Sequence, residues 1–447
     1  MSLETVLADY QAKTTRSRAL FEEAQRVLPG GNTRTTVFVD PYPFYAARGA
    51  GSRIWDVDGT ERLDFNSNYT SLILGHAPTD VVAAVREWAE RGLSFPGPSE
   101  PELRLAQELC RRVPSCAQVR FTNSGTEATM MAIRAARAFT GRAKMAKFEG
   151  AYHGGHDWAQ ISIAPPLDAA GSRKRPKAVP VGAGIPDAVL KQVVVLPWNE
   201  PEAALKLIEK HARDLACVIT EPMQTAAGMI AAKEGFLQAL REVTARHGIV
   251  LILDEVITFR LAPGGMQSLV GITPDLTTFG KIIGGGLPVG ALGGRADVMA
   301  VFDPRGGKPR VSHGGTFNSN PVTMAAGLAT LKALAPEAYA HLERLGERLR
   351  ERVRKLLRAR HEKAQITGLG SLFCVHWTPK RIVDYRSSRP LDPDRPVRTY
   401  IGLLNEGILL TQRGMGAVSA PMGDAEIERF VTALGRVLDG ESRSSGG

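Results

Sequence analysis

The sequence is short of cysteine, has few aromatics and contains no long apolar run. Four cysteines, Cys110, Cys116, Cys217 and Cys374, are spread through 447 residues. Their spacing fits no metal-ligand pattern, which excludes a cysteine metal site and leaves reduced thiols. No apolar stretch is long enough to span a bilayer. The first residues, MSLETVLADYQAKTTRSR, lack the apolar centre of a signal peptide, so the cytosol is the expected compartment. There is no internal repeat and no long linker. Lysine and arginine outnumber aspartate and glutamate by 56 to 46, for a net charge of +10. Part of the excess sits in two Gly/Pro-flanked loops, Ser172–Lys177 (SRKRPK) and Arg305–Arg310 (RGGKPR). No aromatic residue is interleaved with either to stack on a base, so solvated loops are expected and no nucleic-acid partner. The C-terminal ESRSSGG reads as disordered.

What is present is an ordinary soluble composition, 43% hydrophobic and 23% charged. The length predicts one large domain with a smaller companion. Arg53–Phe65 reads as a hairpin turning at Asp58-Gly59. Beyond it, short β-rich runs alternate with helical patterns, as in an α/β sheet with crossover helices. QVRF (118–121), MAKF (145–148), CVIT (217–220) and IVLIL (249–253) are the predicted strands, and Thr126–Phe139 a predicted helix. In the last third, Leu342, Leu345, Leu349, Val353 and Leu356 recur at helical spacing. Asp424 can cap a helix carrying Ile427, Phe430, Leu434 and Val437 and stopping at Gly440. The two chain ends are expected to fold together. The expected parts are 1–60 and 322–447 for the small α+β domain, and 61–321 for the large domain.

Ligands in open α/β sheets sit beyond the carboxyl ends of the strands. QVRF leads into Ser124, Gly125 and Thr126, small residues opening a helix. They suit an anion, though an ordinary helix cap explains them as well. MAKF leads to Tyr152 and His153, with His156 nearby. The two histidines lack a third ligand, so no metal is expected. A flat ligand stacking on Tyr152 fits better. CVIT ends at Glu221, and IVLIL at Asp254-Glu255. An apolar run before Asp-Glu also describes a Walker B strand. That needs a G-x-x-x-x-G-K-S/T loop, and the candidate lysine, Lys281, has Asp275 at the first glycine position and Ile282 after it. What remains is an anion seat, an aromatic, a carboxylate (Asp254) and a lysine beside three glycines (Gly284–Gly286). Pyridoxal phosphate needs these four: its phosphate a helix N-terminus, its ring a stacking partner, its ring nitrogen a carboxylate, its aldehyde an amine. The glycines would let the backbone pass close to cofactor and neighbouring subunit.

NSGTEA, AYHG, LDEV, TTFGKIIGGG and GGTFNSNP, in this order, resemble the class III aminotransferases of fold type I, and the likeness covers nearly the whole chain. It implies a pyridoxal-phosphate enzyme with a mostly parallel sheet flanked by helices. Carried over, Lys281 would be the cofactor lysine and Asp254 the partner of the pyridine nitrogen. Val256 would pack on the ring face opposite Tyr152, and Ser124, Gly125 and Thr126 would hold the phosphate. Thr316 would reach the phosphate of the other subunit, which implies an obligate homodimer. Glu221 and Gln224 would line or support the pocket.

Two branches of the family compete. Gly92–Glu102 and NSGTEATM resemble glutamate-1-semialdehyde aminomutase. Pro29–Phe38, Asn68–Ser71, Glu221–Gln224, Thr258–Gly265 and Leu409–Met422 resemble β-amino-acid, especially β-phenylalanine, aminotransferases. There, arginines matching Arg34 and Arg413 bind the substrate carboxylate and the distal carboxylate of 2-oxoglutarate. The mutase carries an acidic residue around Arg413, which TQRGMGAVSAP lacks, and its SWGP segment is replaced by SNYT (67–70). Alone, Arg34 reads equally as a surface cap after Gly30-Gly31 and Arg413 as an edge-strand ion pair. Tyr69 is a pocket or a core tyrosine. The partners implied are an amino donor and an oxo-acid acceptor. Three readings stay open: aminotransferase, aminomutase, and a non-catalytic or nucleic-acid-binding relative with the same fold.

Overall fold

The computed structural model describes residues 2–444. At its centre a seven-stranded sheet runs in the order 118–122, 290–294, 276–280, 250–254, 215–220, 144–148, 193–196. Val250–Asp254 lies parallel to both Leu276–Gly280 and Leu215–Thr220, and Lys144–Phe148 lies parallel to both its neighbours. Gly290–Gly294 alone runs against its two neighbours. The 215–220, 250–254 and 276–280 strands are buried at every position. That explains why they read as continuous apolar or threonine-rich runs rather than alternating ones. The strands that run the same way put their carboxyl ends on one edge: Thr122, Phe148, Leu196, Thr220, Asp254 and Gly280.

The chain ends meet in a smaller sheet. The hairpin pairs Arg53 with Leu63 and Trp55 with Glu61, with Gly59 at φ +86° in its turn. Its outer arm pairs with Ala46–Ala50, and its inner arm lies parallel to Ile408–Leu409. A three-stranded sheet, 365–367, 372–376 and 415–417, lies beside it. The helix Pro336–Ala359 buries Leu342, Leu345, Leu349, Val353 and Leu357 against the last helix, Asp424–Ser444.

Three expectations need correcting. The last helix does not stop at Gly440 but continues to Ser444, so the ESRSSGG segment is helical over 441–444. Its 445–447 portion lies outside the described residues. One glycine costs a helix about 1 kcal/mol, and the burial of Ile427, Phe430, Leu434, Val437 and Leu438 carries the helix up to it. Asp424 is the first residue inside this helix rather than its cap. Gly284 and Gly285 face their own chain: a Cβ on Gly285 would lie 2.6 Å from Ala326 O, and one on Gly284 2.5 Å from the Val289 side chain. Gly327 is the reciprocal contact, with a Cβ 1.9 Å from Ile283 O. These glycines let the helix Pro321–Ala333 press onto the segment that follows Lys281.

Candidate active site

Lys281 follows the last residue of its strand and has φ +51°, in the left-handed region. A lysine held there is strained by about 1–3 kcal/mol, which surrounding packing must impose. Burial pushes its amine below the ordinary lysine value, against the pull of Asp254 and Glu221. Asp254 ends the neighbouring strand. Its Oδ1 accepts from the Val256 amide and from Thr278 Oγ1, both at 3.1 Å. Its Oδ2 lies 2.8 Å from His153 Nδ1. Burial lowers the pKa of His153 despite the carboxylate. A neutral imidazole donating from Nδ1 follows, and the tautomer fits the buried, unpartnered Nε2. Glu255, one residue on, turns away and accepts from the amides of Met266 (2.9 Å) and Gln267 (2.7 Å). The adjacent carboxylates therefore do different work, one in the site and one capping the helix Met266–Val270.

Val256 stands between two glycines. A Cβ on either Gly125 or Gly280 would meet its methyl groups at 3.2 Å. Ser124 does cap the helix Gly125–Thr140: its Oγ accepts from Glu127 N at 3.1 Å, and Glu127 reaches back to Asn123 N at 2.8 Å. The first intrahelical bond joins Ala128 N to Ser124 O, so the amides of Gly125 and Thr126 precede the ladder and could hold an anion. Cap and anion seat are compatible. Thr126 Oγ1 accepts from Gly155 N at 3.1 Å, tying the helix start to the Tyr152 loop. The Tyr152 ring is 46% exposed between buried Ala151 and His153.

Glu221 and Gln224 flank the site from the 215–220 strand. Burial, seconded by Asp254, raises the Glu221 carboxyl to about 8. Its Oε1 accepts from Thr225, while Oε2 is buried without a partner. Gln224 Nε2 donates to Glu149 O at 2.8 Å, and its Oε1 is likewise unpartnered. Lys147 is buried beneath them, with Nζ donating to Ala151 O at 2.9 Å and to Ile161 O. Burial lowers it to about 7, against Glu221 and Glu149.

Arg34 and Tyr69 come together. Ser67, Asn68, Tyr69 and Thr70 all have positive φ, a left-handed turn without glycine. Arg34 Nη1 donates to Asn68 Oδ1 at 2.9 Å, and its guanidinium lies 5.9 Å from the Tyr69 ring centre. Tyr69 is half-buried, its hydroxyl on Thr36 O. Arg413 occupies an exposed turn ahead of the 415–417 strand and has no ion pair among the described residues. Its neighbours are not loose: a Cβ on Gly414 would lie 2.5 Å from Val375 O, and one on Gly416 2.4 Å from the Phe373 ring. Gln412 Nε2 donates to Phe38 O, linking this turn to the segment after Arg34. Thr316 is exposed, in a loop that Asn318 Oδ1 ties to Asn123 Nδ2 at 2.9 Å.

The aminotransferase class-III family matches residues 36–434. The chain belongs to this family. It is 42% identical to a beta-phenylalanine transaminase of Variovorax paradoxus over 447 residues, 98% of this chain and 97% of the relative. It is also 42% identical to a glutamate-1-semialdehyde 2,1-aminomutase of Methanothermobacter thermautotrophicus over 428 residues, 95% and 99% of the two chains. Among solved structures, an omega-transaminase from Sphaerobacter thermophilus is 51% identical and superposes with a TM-score of 0.91, over 95% and 97% of the chains. The class III aminotransferase fold and its pyridoxal-phosphate dependence follow.

The residues present fit that cofactor. An anion seat, a half-exposed ring, a buried carboxylate with a fixed donor behind it, and a desolvated amine meet at one sheet edge. The Cβ-free positions 125 and 280 leave Val256 room between them. Sequence reasoning missed two residues, His153 and Lys147. The sequence offers His153 only as a metal ligand, though it follows Tyr152 directly. Lys147 was hidden inside an apolar run, where a lone lysine in a buried strand was the available signal.

Proposed function

We propose that the chain transfers the amino group of an aromatic β-amino acid to 2-oxoglutarate or pyruvate. The observation that carries this reading is Arg34 against the Asn68–Tyr69 turn. A guanidinium fixed on one side keeps donors for a carboxylate, and the ring beside it offers apolar surface. Arg413, exposed and unpaired among the described residues, supplies a second cation for a dicarboxylic acceptor. The likeness to the Variovorax transaminase supports the same reading. A second reading, aminomutase, is favoured by the equally similar Methanothermobacter relative.

When bound, pyridoxal phosphate supplies an aldehyde that takes up amino groups and a ring that accepts the electron pair left by a departing proton. Gly125 and Thr126 amides, with Ser124, would hold its phosphate. Tyr152 and Val256 would lie on opposite faces of its ring. Asp254, its other lone pairs taken by His153, Thr278 and Val256, would keep a proton on the ring nitrogen. The Lys281 amine, its basicity lowered by burial, would take the proton from the donor's amine-bearing carbon and, in the second half-reaction, supply one to the carbon of the acceptor. Arg34 would orient the carboxylate of each substrate in turn, and ping-pong kinetics would result.

We infer a homodimer too, with Thr316 serving the partner's site. Support comes from the exposure of Thr316 beside Phe317 (61% exposed) and of Leu93 (67%), whose carbonyl accepts from Asn320. The cytosol is the compartment proposed; among the described residues no helix is long and apolar enough to cross a membrane. The deciding experiment pairs β-phenylalanine with 2-oxoglutarate or pyruvate and measures glutamate or alanine. Formation of either supports transfer. Conversion of glutamate-1-semialdehyde without an added acceptor, and no transfer from β-amino acids, would establish the mutase instead.

A further inference from the structure

Glu149 follows the strand Lys144–Phe148 and precedes Tyr152 by three residues. Its carboxylate is gripped by Arg386 on two parallel bonds, Nε to Oε2 at 2.7 Å and Nη2 to Oε1 at 2.8 Å. The pair spans 237 residues of sequence. Arg386 belongs to the loop between the strand Leu372–His376 and the helix Arg395–Asn405. Its other bonds go to the carbonyls of Gly171 (2.8 Å), Ala170 (3.2 Å) and Ser172 (3.3 Å). Beside it, Tyr385 lies on Gly150, where an added Cβ would come 2.5 Å from Tyr385 Cβ. The Tyr385 hydroxyl donates to Pro165 O at 2.9 Å. This loop is thus bonded both to the turn that leads to Tyr152 and to the segment beyond it.

The same turn is held from inside. Lys147 Nζ takes Ala151 O, Gly150 N donates to Ser162 O at 2.9 Å, and Gln224 takes Glu149 O. The Tyr152 ring itself is half out of the protein, so the backbone of 149–153 and the neighbouring Thr126 set its direction. An exposed ion pair between distant segments would add little. This one is 17% exposed at Arg386 and 6% at Glu149, and its two-pronged geometry fixes direction as well as distance.

We propose that Arg386 is a positioning residue for the cofactor site: through Glu149 it fixes the turn that aims the Tyr152 ring. The loop that carries Arg386 leaves a strand paired with Met415–Ala417, just after Arg413, so the latch joins the acceptor-side wall to the ring-stacking wall. It rests on the reading of Tyr152 as the residue lying against the pyridine ring.

The test is a double-mutant cycle read on the dissociation constant of pyridoxal phosphate, titrated into apoprotein. Wild type, R386M, Y152A and the double variant are compared. R386M is expected to raise the constant about tenfold in the wild-type background and less than about twofold in Y152A, because the latch acts through a ring that is gone. The same factor in both backgrounds overturns the latch, as does an unchanged constant in R386M. If Y152A binds the cofactor as tightly as wild type, the stacking reading of Tyr152 fails first and the latch with it. Glu149→Gln opens the same cycle from the other end should R386M not fold. Arg386→Lys should restore only part of the affinity, since an ammonium cannot make both bonds.

Discussion

His153 Nδ1 lies 2.8 Å from Asp254 Oδ2, with the imidazole fully out of solvent. The carboxylate has two further donors on Oδ1, so its remaining direction is fixed by the protein before any ligand arrives. Asp254→Asn should still bind cofactor but lose on the order of 100-fold or more in the rate of the first half-reaction. His153→Phe should lose less, about 10-fold to 100-fold, because the charge stays and only its orienting donor goes. Stopped-flow single turnovers with β-phenylalanine check both. Near-wild-type rates in Asp254→Asn would mean another group holds the ring nitrogen.

Glu221 carries a pH signature. Its carboxyl is raised in the folded protein to about 8, chiefly by burial. The folded state therefore holds a proton that the unfolded chain has already released. Stability from this group is fully present below the unfolded value of about 4.3 and falls as pH rises through about 8. Melting temperatures of apoprotein and Glu221→Gln should diverge across that window, with wild type losing ground and the gap levelling off at higher pH. A gap that does not change with pH would mean that the carboxyl is ionised throughout.

Gly327 bears on Lys281 from a distance. A methyl there would lie 1.9 Å from Ile283 O, two residues past the lysine. Gly327→Ala should cost about 1–3 kcal/mol by overpacking and lower cofactor occupancy as well. Gly97→Ala, with nothing within 4 Å, is the control and should leave both unchanged. Thermal melts and the cofactor content of purified protein read the difference.

Much of this was legible in the sequence. Fully buried strands show as unbroken apolar runs, and polar residues just past them mark the carboxyl edge of the sheet, so the grouping of Asp254, Glu221, Tyr152 and Lys281 at that edge is legible in the sequence. The left-handed turn at Ser67–Thr70 is not, because no glycine announces it; Asp64 and Asn66 hold it locally, accepting from the Ser67 (2.8 Å) and Tyr69 (2.6 Å) amides, and Arg260 grips Thr70 O from across the fold (2.9 Å). Nor is the purpose of Gly284, Gly285, Gly414 and Gly416. A glycine reads the same whether it permits motion, close packing or a ligand, and here it permits packing against the same chain. The Arg386–Glu149 pair was invisible for a related reason: sequence pattern carries no signal for a contact spanning 237 residues.

Arg34 and Arg413 should separate kinetically. Arg413→Ala is expected to raise KM for 2-oxoglutarate by tenfold or more, about 1.4 kcal/mol of lost binding, while KM for pyruvate and β-phenylalanine changes little. Arg34→Ala should impair donor and dicarboxylic acceptor alike. Because Gly414 and Gly416 are packed, any movement by which Arg413 would serve a second carboxylate is expected of its side chain and not of the backbone beside it. Unchanged 2-oxoglutarate kinetics in Arg413→Ala would remove it from the acceptor site.

The placement of Lys281 beside Asp254 and Glu221 at the carboxyl edge of the sheet is tested most directly by borohydride reduction of the holoprotein, followed by proteolysis and mass mapping of the fixed cofactor. Reduction should bleach the yellow chromophore and leave the adduct on Lys281, and Lys281→Ala should carry none. An adduct on Lys147 or any other lysine, with Lys281 unmodified, would contradict the site assembled here.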